Sequence, residues 1–149
     1  MKIVSIAVSK KKKTKKIPVK AALLIENHGI QDDAHAGDWH RQVSFLPSES
    51  ILSFRKGDIK AGFGDFAENI ATSDVDWTQI PVGTRIKLGE SAVVEITQIG
   101  KECHQKCTIY YQTGDCIMPK EGIFARVLTG GNIMCNDSIQ IMPSEATPQ

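Results

Sequence analysis

Cys103, His104, Cys107 and Cys116 fall together in the segment KECHQKCTIYYQTGDC, which holds three of the four cysteines of this chain. Two lysines, Lys101 and Lys106, and the imidazole of His104 surround Cys103 and Cys107. Neighbouring cations lower a thiol pKa and favour the thiolate, the form that attacks electrophiles and binds metals. Three uses of such a cluster stay open. Cys103, His104, Cys107 and Cys116 supply enough ligands for structural zinc, although C-x3-C with one distant third cysteine is not a zinc-ribbon spacing. A single thiolate can instead carry a persulfide or hold a soft transition metal. The plain alternative is that these are small buried apolar residues, which suits Cys135 and also Cys116 better than the polar-flanked Cys103 and Cys107.

Two further groupings carry chemistry. Residues 29–42 contain Asp32, Asp33, His35, Asp38 and His40, a set able to hold a hard or borderline metal; Asp33, His35 and His40 would serve a metal-dependent hydrolase. Side-chain to backbone hydrogen bonds that shape a tight loop explain the same residues without catalysis. Arg41, at the point where this loop meets a strand, offers a planar fork for phosphate. The second grouping is Gly64-Asp65-Phe66-Ala67-Glu68-Asn69. Its glycine permits close backbone approach, and Glu68 and Asn69 have the donors and acceptors to read a heterocycle edge. A glycine turn ending in a strand accounts for Gly64 and Phe66 equally well. Residues 10–16 hold six lysines, including Lys16. That run reads as a mobile, solvated loop tip, or else as an electropositive lip for an anionic ligand.

The elements expected to carry these groups are mostly short strands. Residues 2–8 (KIVSIAV) are apolar and β-branched, and residues 19–25, 43–46, 85–88, 92–99, 122–128 and 138–142 repeat the pattern. Gly89-Glu90-Ser91 joins two of them as a hairpin. Pro47-Ser48 opens a helix in which Ser48 can cap the free N–H groups. Residues 27–41 read as loop, and Gly130-Gly131 as a turn. Many short strands with few helices predict a mainly β domain spanning residues 1–149, a barrel-like closed sheet with one or two short helices and a frayed tail over residues 143–149.

A chain of 149 residues has room for one core. A formal net charge of +1 argues against a generally basic nucleic-acid binder and favours a small-molecule site. No run approaches the roughly 20 apolar residues of a membrane span. The apolar part of MKIVSIAVSKKKK is short and precedes its basic part, so it is not expected to be a signal peptide. A cytoplasmic setting with reduced thiols is the corresponding expectation.

Taken in order, GIQDDAHAGDWHRQVS, GDFAENI and EITQIGKECHQKCTIYYQTGDCIMPKEGIFARVLTGG cover nearly the whole chain and resemble the MOSC domain family. That family is named for the C-terminal domain of the molybdenum cofactor sulfurase, and the likeness is to its small stand-alone prokaryotic members. The resemblance implies a barrel of the kind seen in pyruvate kinase, and binding of the molybdenum cofactor, a phosphorylated pterin dithiolene (molybdopterin) carrying Mo. It implies a cysteine that carries sulfur as a persulfide or ligates the metal, and Cys103 fits that position, with His104 and Cys107 in support. Larger relatives often carry a proline-arginine turn before this cysteine, where this chain has Gly-Lys-Glu. His40, Arg41, Glu68, Asn69, Arg126 and Lys16 are the expected cofactor-binding residues. A sulfur donor or a molybdoenzyme acceptor is the implied protein partner, and reduction of N-hydroxylated compounds the alternative activity. Zinc remains the alternative from another class.

Overall fold

β-branched runs broken by glycine and polar residues form short strands because each buries alternate side chains against a shared core. A computed structural model of the chain describes residues 1–100 and 116–143. Its strands are β1 (Lys2–Val8), β2 (Ile17–Val19), β3 (Ala21–Ile25), β4 (Gly29–Ile30), β5 (Val43–Pro47), β6 (Arg55–Lys56), β7 (Ile59–Lys60), β8 (Ile70–Ser73), β9 (Arg85–Leu88), β10 (Ala92–Ile99), β11 (Ile123–Thr129), β12 (Gly131–Met134) and β13 (Ile139–Ile141). Helix α1 (Ser48–Ser53) and helix α2 (Met118–Glu121) are short. Among the described residues, no helix is long and apolar enough to cross a membrane.

The expected closed barrel is not what forms. The main sheet is open, in the order β13-β9-β10-β11-β5-β8-β1-β2. Its ends approach each other at one isolated bridge between Lys2 and Ser138. Closure needs a continuous ladder between the first and last strands. Here β2 takes the outer edge of β1 from Ile6 to Val8, leaving only the first residues of β1 for the returning chain. All pairings in this sheet are antiparallel except β5 with β8, which α1 and the β6–β7 hairpin connect. A second sheet, β12-β3-β4, lies beside it.

Strand alternation splits the apolar side chains between two clusters. Ile3, Ile6, Phe45, Ile70, Val94, Ile96 and Val127 belong to the larger one. Leu46, Ile51, Phe66, Ala71, Met118 and Phe124 form the smaller one on the other side. Leu46 beside Phe45 and Ala71 beside Ile70 show the alternation, each facing the smaller cluster where its neighbour faces the larger. Three local expectations also change. Residues 19–25 divide at Lys20 into β2 and β3. The glycines at positions 29 and 131 sit inside strands β4 and β12 instead of turns. Helix α1 starts at Ser48, but its cap is Pro47 with no side-chain cap. The tail expected to fray lies, from residue 144 on, outside the described residues.

Candidate functional site

The loop between β4 and β5 carries Asp33, His35, His40 and Arg41, and the structure places them in two linked groups. The first centres on Lys16. Its ammonium group is buried, 2.8 Å from Asp33 Oδ1, with both side chains fully shielded from solvent. It also lies 3.0 Å from Ser9 Oγ and 3.0 Å from His35 Nδ1. The Ser9 hydroxyl donates onward to the Lys11 carbonyl at 2.9 Å. Asp33 accepts the backbone N–H groups of Ser9 and His35, each at 3.1 Å. Burial lowers the Lys16 pKa, and the charge and hydrogen bond of Asp33, with the charge of Glu68, oppose that shift. The lysine run is thus no plain loop tip, because its last member anchors it in the interior.

The second group centres on Trp39. Its indole N–H donates to the His35 carbonyl at 2.7 Å, which ties it to the first group and fixes its plane. The Arg41 guanidinium lies 4.6 Å from the Trp39 ring centroid and 5.6 Å from that of Phe124. Both distances lie within cation–π range, and that attraction does not use up the N–H donors of a guanidinium. Arg41 Nε is buried and has no hydrogen-bond partner, the one such side-chain atom among the described residues. A buried donor without an acceptor is destabilising by about 1–3 kcal/mol, so Arg41 Nε is the donor of this group with capacity for a further acceptor.

His40 packs edge-on against Trp39, with centroids 5.8 Å apart. Its Nε2 lies 2.8 Å from Gln98 Oε1, and Gln98 Nε2 donates to the Gly100 carbonyl at 2.8 Å. The second bond fixes the amide orientation, so His40 donates from Nε2 and presents Nδ1 as its basic atom. The Thr97 hydroxyl donates to the His40 carbonyl. Through Gln98, these contacts tie His40 to Gly100, the last described residue before the thiol segment. Arg126 reaches the same face of β11 as Phe124 and donates to Asn27 Oδ1 at 2.8 Å. The buried Gln42 also donates to Asn27 Oδ1, at 3.2 Å.

Glu68 and Asn69, expected to meet a ligand, are both almost fully buried. Asn69 Oδ1 accepts the Ser44 backbone N–H at 3.0 Å, and Asn69 Nδ2 donates to the Ala7 carbonyl at 3.1 Å, which stitches β5, β8 and β1 together. Glu68 accepts the backbone N–H groups of Gly64 at 2.6 Å and Phe66 at 3.1 Å. Burial raises its pKa to about 7, against the pull of those N–H groups. The folded protein therefore holds a proton there that the unfolded chain releases above its ordinary pKa of 4.5. The sign follows: stability falls as pH rises from about 4.5 to about 7, by about 3 kcal/mol from this group. Urea unfolding of wild type between pH 5 and 8 should show that slope, and Glu68→Gln should flatten it; an unchanged slope in the variant would assign it elsewhere.

Cys103, His104 and Cys107 lie outside the described residues. Cys116 packs against the smaller apolar cluster and Cys135 against the larger one. Among the described residues, no group of three or more His, Cys, Asp or Glu side chains is placed to hold a metal ion. Asp33 is engaged with Lys16 while His40 turns to Gln98, so the trio Asp33, His35 and His40 does not converge. A groove of about 790 Å³ opens elsewhere, beside the turn from Ile80 to Thr84; its Asp74, Asp76 and Glu95 make it a poor host for an anion. Sequence reasoning passed over Trp39, Asn27, Thr97 and Gln98. Only Trp39 left a local signal, as a large aromatic in a polar loop.

A family model for the MOSC domain matches residues 32–140, and the chain belongs to that family, which is associated with molybdenum cofactor binding. Solved structures share the fold. The YuaD protein of Bacillus subtilis superposes with a TM-score of 0.76 at 18% identity, over 94% of this chain and 94% of its own. YiiM from Geobacillus stearothermophilus gives 0.73 at 20% identity, over 98% of this chain and 77% of its own. YiiM from Escherichia coli gives 0.68 at 17%, over 96% and 70%. No curated protein sequence matches it.

Proposed function

We propose that this MOSC protein binds the molybdenum cofactor through its phosphate and handles the cofactor or its sulfur with the thiolate of Cys103. The observation that carries this reading is Arg41, a guanidinium within cation–π distance of Trp39 and Phe124 with a buried Nε that no described group satisfies. A phosphate is the natural acceptor for such an edge. When bound, the cofactor supplies the soft, sulfur-rich metal centre for which a thiolate is the matching ligand. Arg41 holds the phosphate, and Arg126, already oriented by Asn27, adds charge on the same face. His40 presents Nδ1 toward ligand protons. Lys16, neutralised by Asp33, anchors the loop that carries Trp39 and Arg41 from below, and Glu68 and Asn69 act from behind, as the wall that fixes Gly64, Ser44 and Ala7. Cys103 follows three residues after Gly100, whose carbonyl accepts from the Gln98 amide that also meets His40.

The test is molybdenum, zinc and pterin content of protein purified from a host that makes the cofactor. Wild type should carry pterin and molybdenum, and Arg41→Ala should lose at least about tenfold in pterin, as loss of a charge-assisted phosphate contact requires. Cys103→Ser should keep pterin and lose molybdenum or a labile sulfur detected by mass spectrometry. Stoichiometric zinc without pterin would overturn the reading, and loss of the sulfur only in Cys107→Ser would move the working thiol.

A further inference from the structure

The six lysines of residues 10–16 are sorted by the fold. Lys16 is buried against Asp33, and Lys15 lies 3.8 Å from Asp65. The Thr14 hydroxyl donates to the Lys11 carbonyl at 3.0 Å, and Lys13 takes a left-handed φ of 62°, which reverses the chain. That reversal lays Lys12 across the site. Its ammonium group sits 4.7 Å from the centroid of the Trp39 ring, the ring that also carries Arg41 at 4.6 Å. Lys12 is exposed, as are Lys10, Lys11 and Lys13, and its contact with the Trp39 ring is what sets it apart.

Two cations share one indole, and their separation is bounded by twice those distances. Among the described residues, neither makes an ion pair with a carboxylate. Like charges within about 9.3 Å of each other, the sum of the two distances, repel, and solvent at the exposed Lys12 screens that only in part. The arrangement is relieved by an anion that touches both. A compact dianion suits it better than a carboxylate, since it can face a guanidinium edge and an ammonium point charge at once.

We infer that Lys12 and Arg41, positioned by Trp39, form a two-cation clamp for a phosphate monoester or diphosphate, with the lysine turn as its outer jaw. This rests on the reading that Arg41 holds a phosphate, and it adds the lysine turn to the binding surface. Trp39 reports on it directly, because a phosphate arriving between its two cations changes the indole environment.

The probes are inorganic pyrophosphate and inorganic phosphate, titrated into the full-length protein and followed by tryptophan emission and by calorimetry. Trp39→Phe identifies the optical signal, since Trp77 is the other tryptophan and is buried. Lys12→Ala should weaken pyrophosphate binding about five- to tenfold, Lys12→Arg should restore it, and Lys10→Ala with Lys11→Ala should change it less than about twofold. Trp39→Leu should weaken binding at least as much as Lys12→Ala, through loss of both cation positions. Calorimetry reads this without the indole. If Lys12→Ala binds like wild type while Arg41→Ala does not, the clamp is refuted and the Arg41 reading survives. If Lys10→Ala with Lys11→Ala weakens binding as much as Lys12→Ala, a diffuse field replaces the clamp. If Arg41→Ala is unchanged, or wild type binds neither probe, the clamp and the reading beneath it both fall.

Discussion

Asp33→Ala lowers the unfolding free energy by about 3–5 kcal/mol, the range found when one partner of a buried ion pair is removed. The Lys16 ammonium is then left in a site that water does not reach, with only the Ser9 hydroxyl and His35 Nδ1 as neutral acceptors. Asp33 is one of the groups that hold the Lys16 pKa up against burial, so its loss lowers that pKa further. Between the lowered value and the ordinary 10.5 the folded variant binds fewer protons than the unfolded chain. Its stability therefore rises with pH across that window. Chemical denaturation of Asp33→Ala should show a deficit that shrinks from pH 7 toward pH 10, and Lys16→Met in the same background should recover much of it at neutral pH. A deficit that is small, or unaffected by removing Lys16, would show that the pair is not holding the loop.

The second large effect is expected at Gly64. This residue has φ +88°, and a methyl group there would overlap the Lys16 carbonyl oxygen. The two backbones already exchange a close contact, with the Lys16 N–H donating to the Gly64 carbonyl at 2.8 Å. Gly64→Ala must therefore strain its own dihedral and push apart the segments that carry Lys16 and Glu68, a loss of about 3–4 kcal/mol. Gly57 supplies the control. It has φ +61°, but a methyl group added there would meet nothing within 4 Å, so Gly57→Ala should cost only about 1–2 kcal/mol, the left-handed strain alone. Equal destabilisation of the two variants in thermal or urea unfolding would remove the steric argument.

Much of the strand pattern is readable locally. Arg85–Leu88 and Ala92–Ile99 fall where alternation and turn residues place them, because each has one face to bury, and Lys2–Val8 falls where a continuous apolar run places a strand buried on both faces. The open sheet is not readable in that way. Whether β13 joins β1 or stops at a single bridge is decided by β2 taking the same edge, and nothing near Ser138 encodes that competition. The site divides similarly. Arg41 and His40 stand out as a guanidinium and an imidazole in a polar loop. Trp39, Gln98 and Lys12 gain their roles only from what folding brings beside them. Glu68 and Asn69 are recognisable as polar residues in an apolar setting, but composition is silent on whether an amide faces a ligand or the backbone of Ala7 and Ser44.

The polypeptide departs toward Cys103 and comes back through a single rung. The Gly100 N–H donates to the Gly122 carbonyl at 2.6 Å, next to the Ile99–Ile123 pair that ends the β10–β11 ladder. Departure and return points are thus joined by the scaffold itself. Closure entropy grows only logarithmically, by about 0.6 kcal/mol for each doubling of length. Descent with modification can accordingly rewrite the intervening stretch, lengthening it or trading one thiol for another, while the supporting sheet keeps its register. The same rung gives protein engineers a pair of splice points at which a stretch from a different ancestor could be grafted, provided the glycine at 100, whose φ is +71°, is retained.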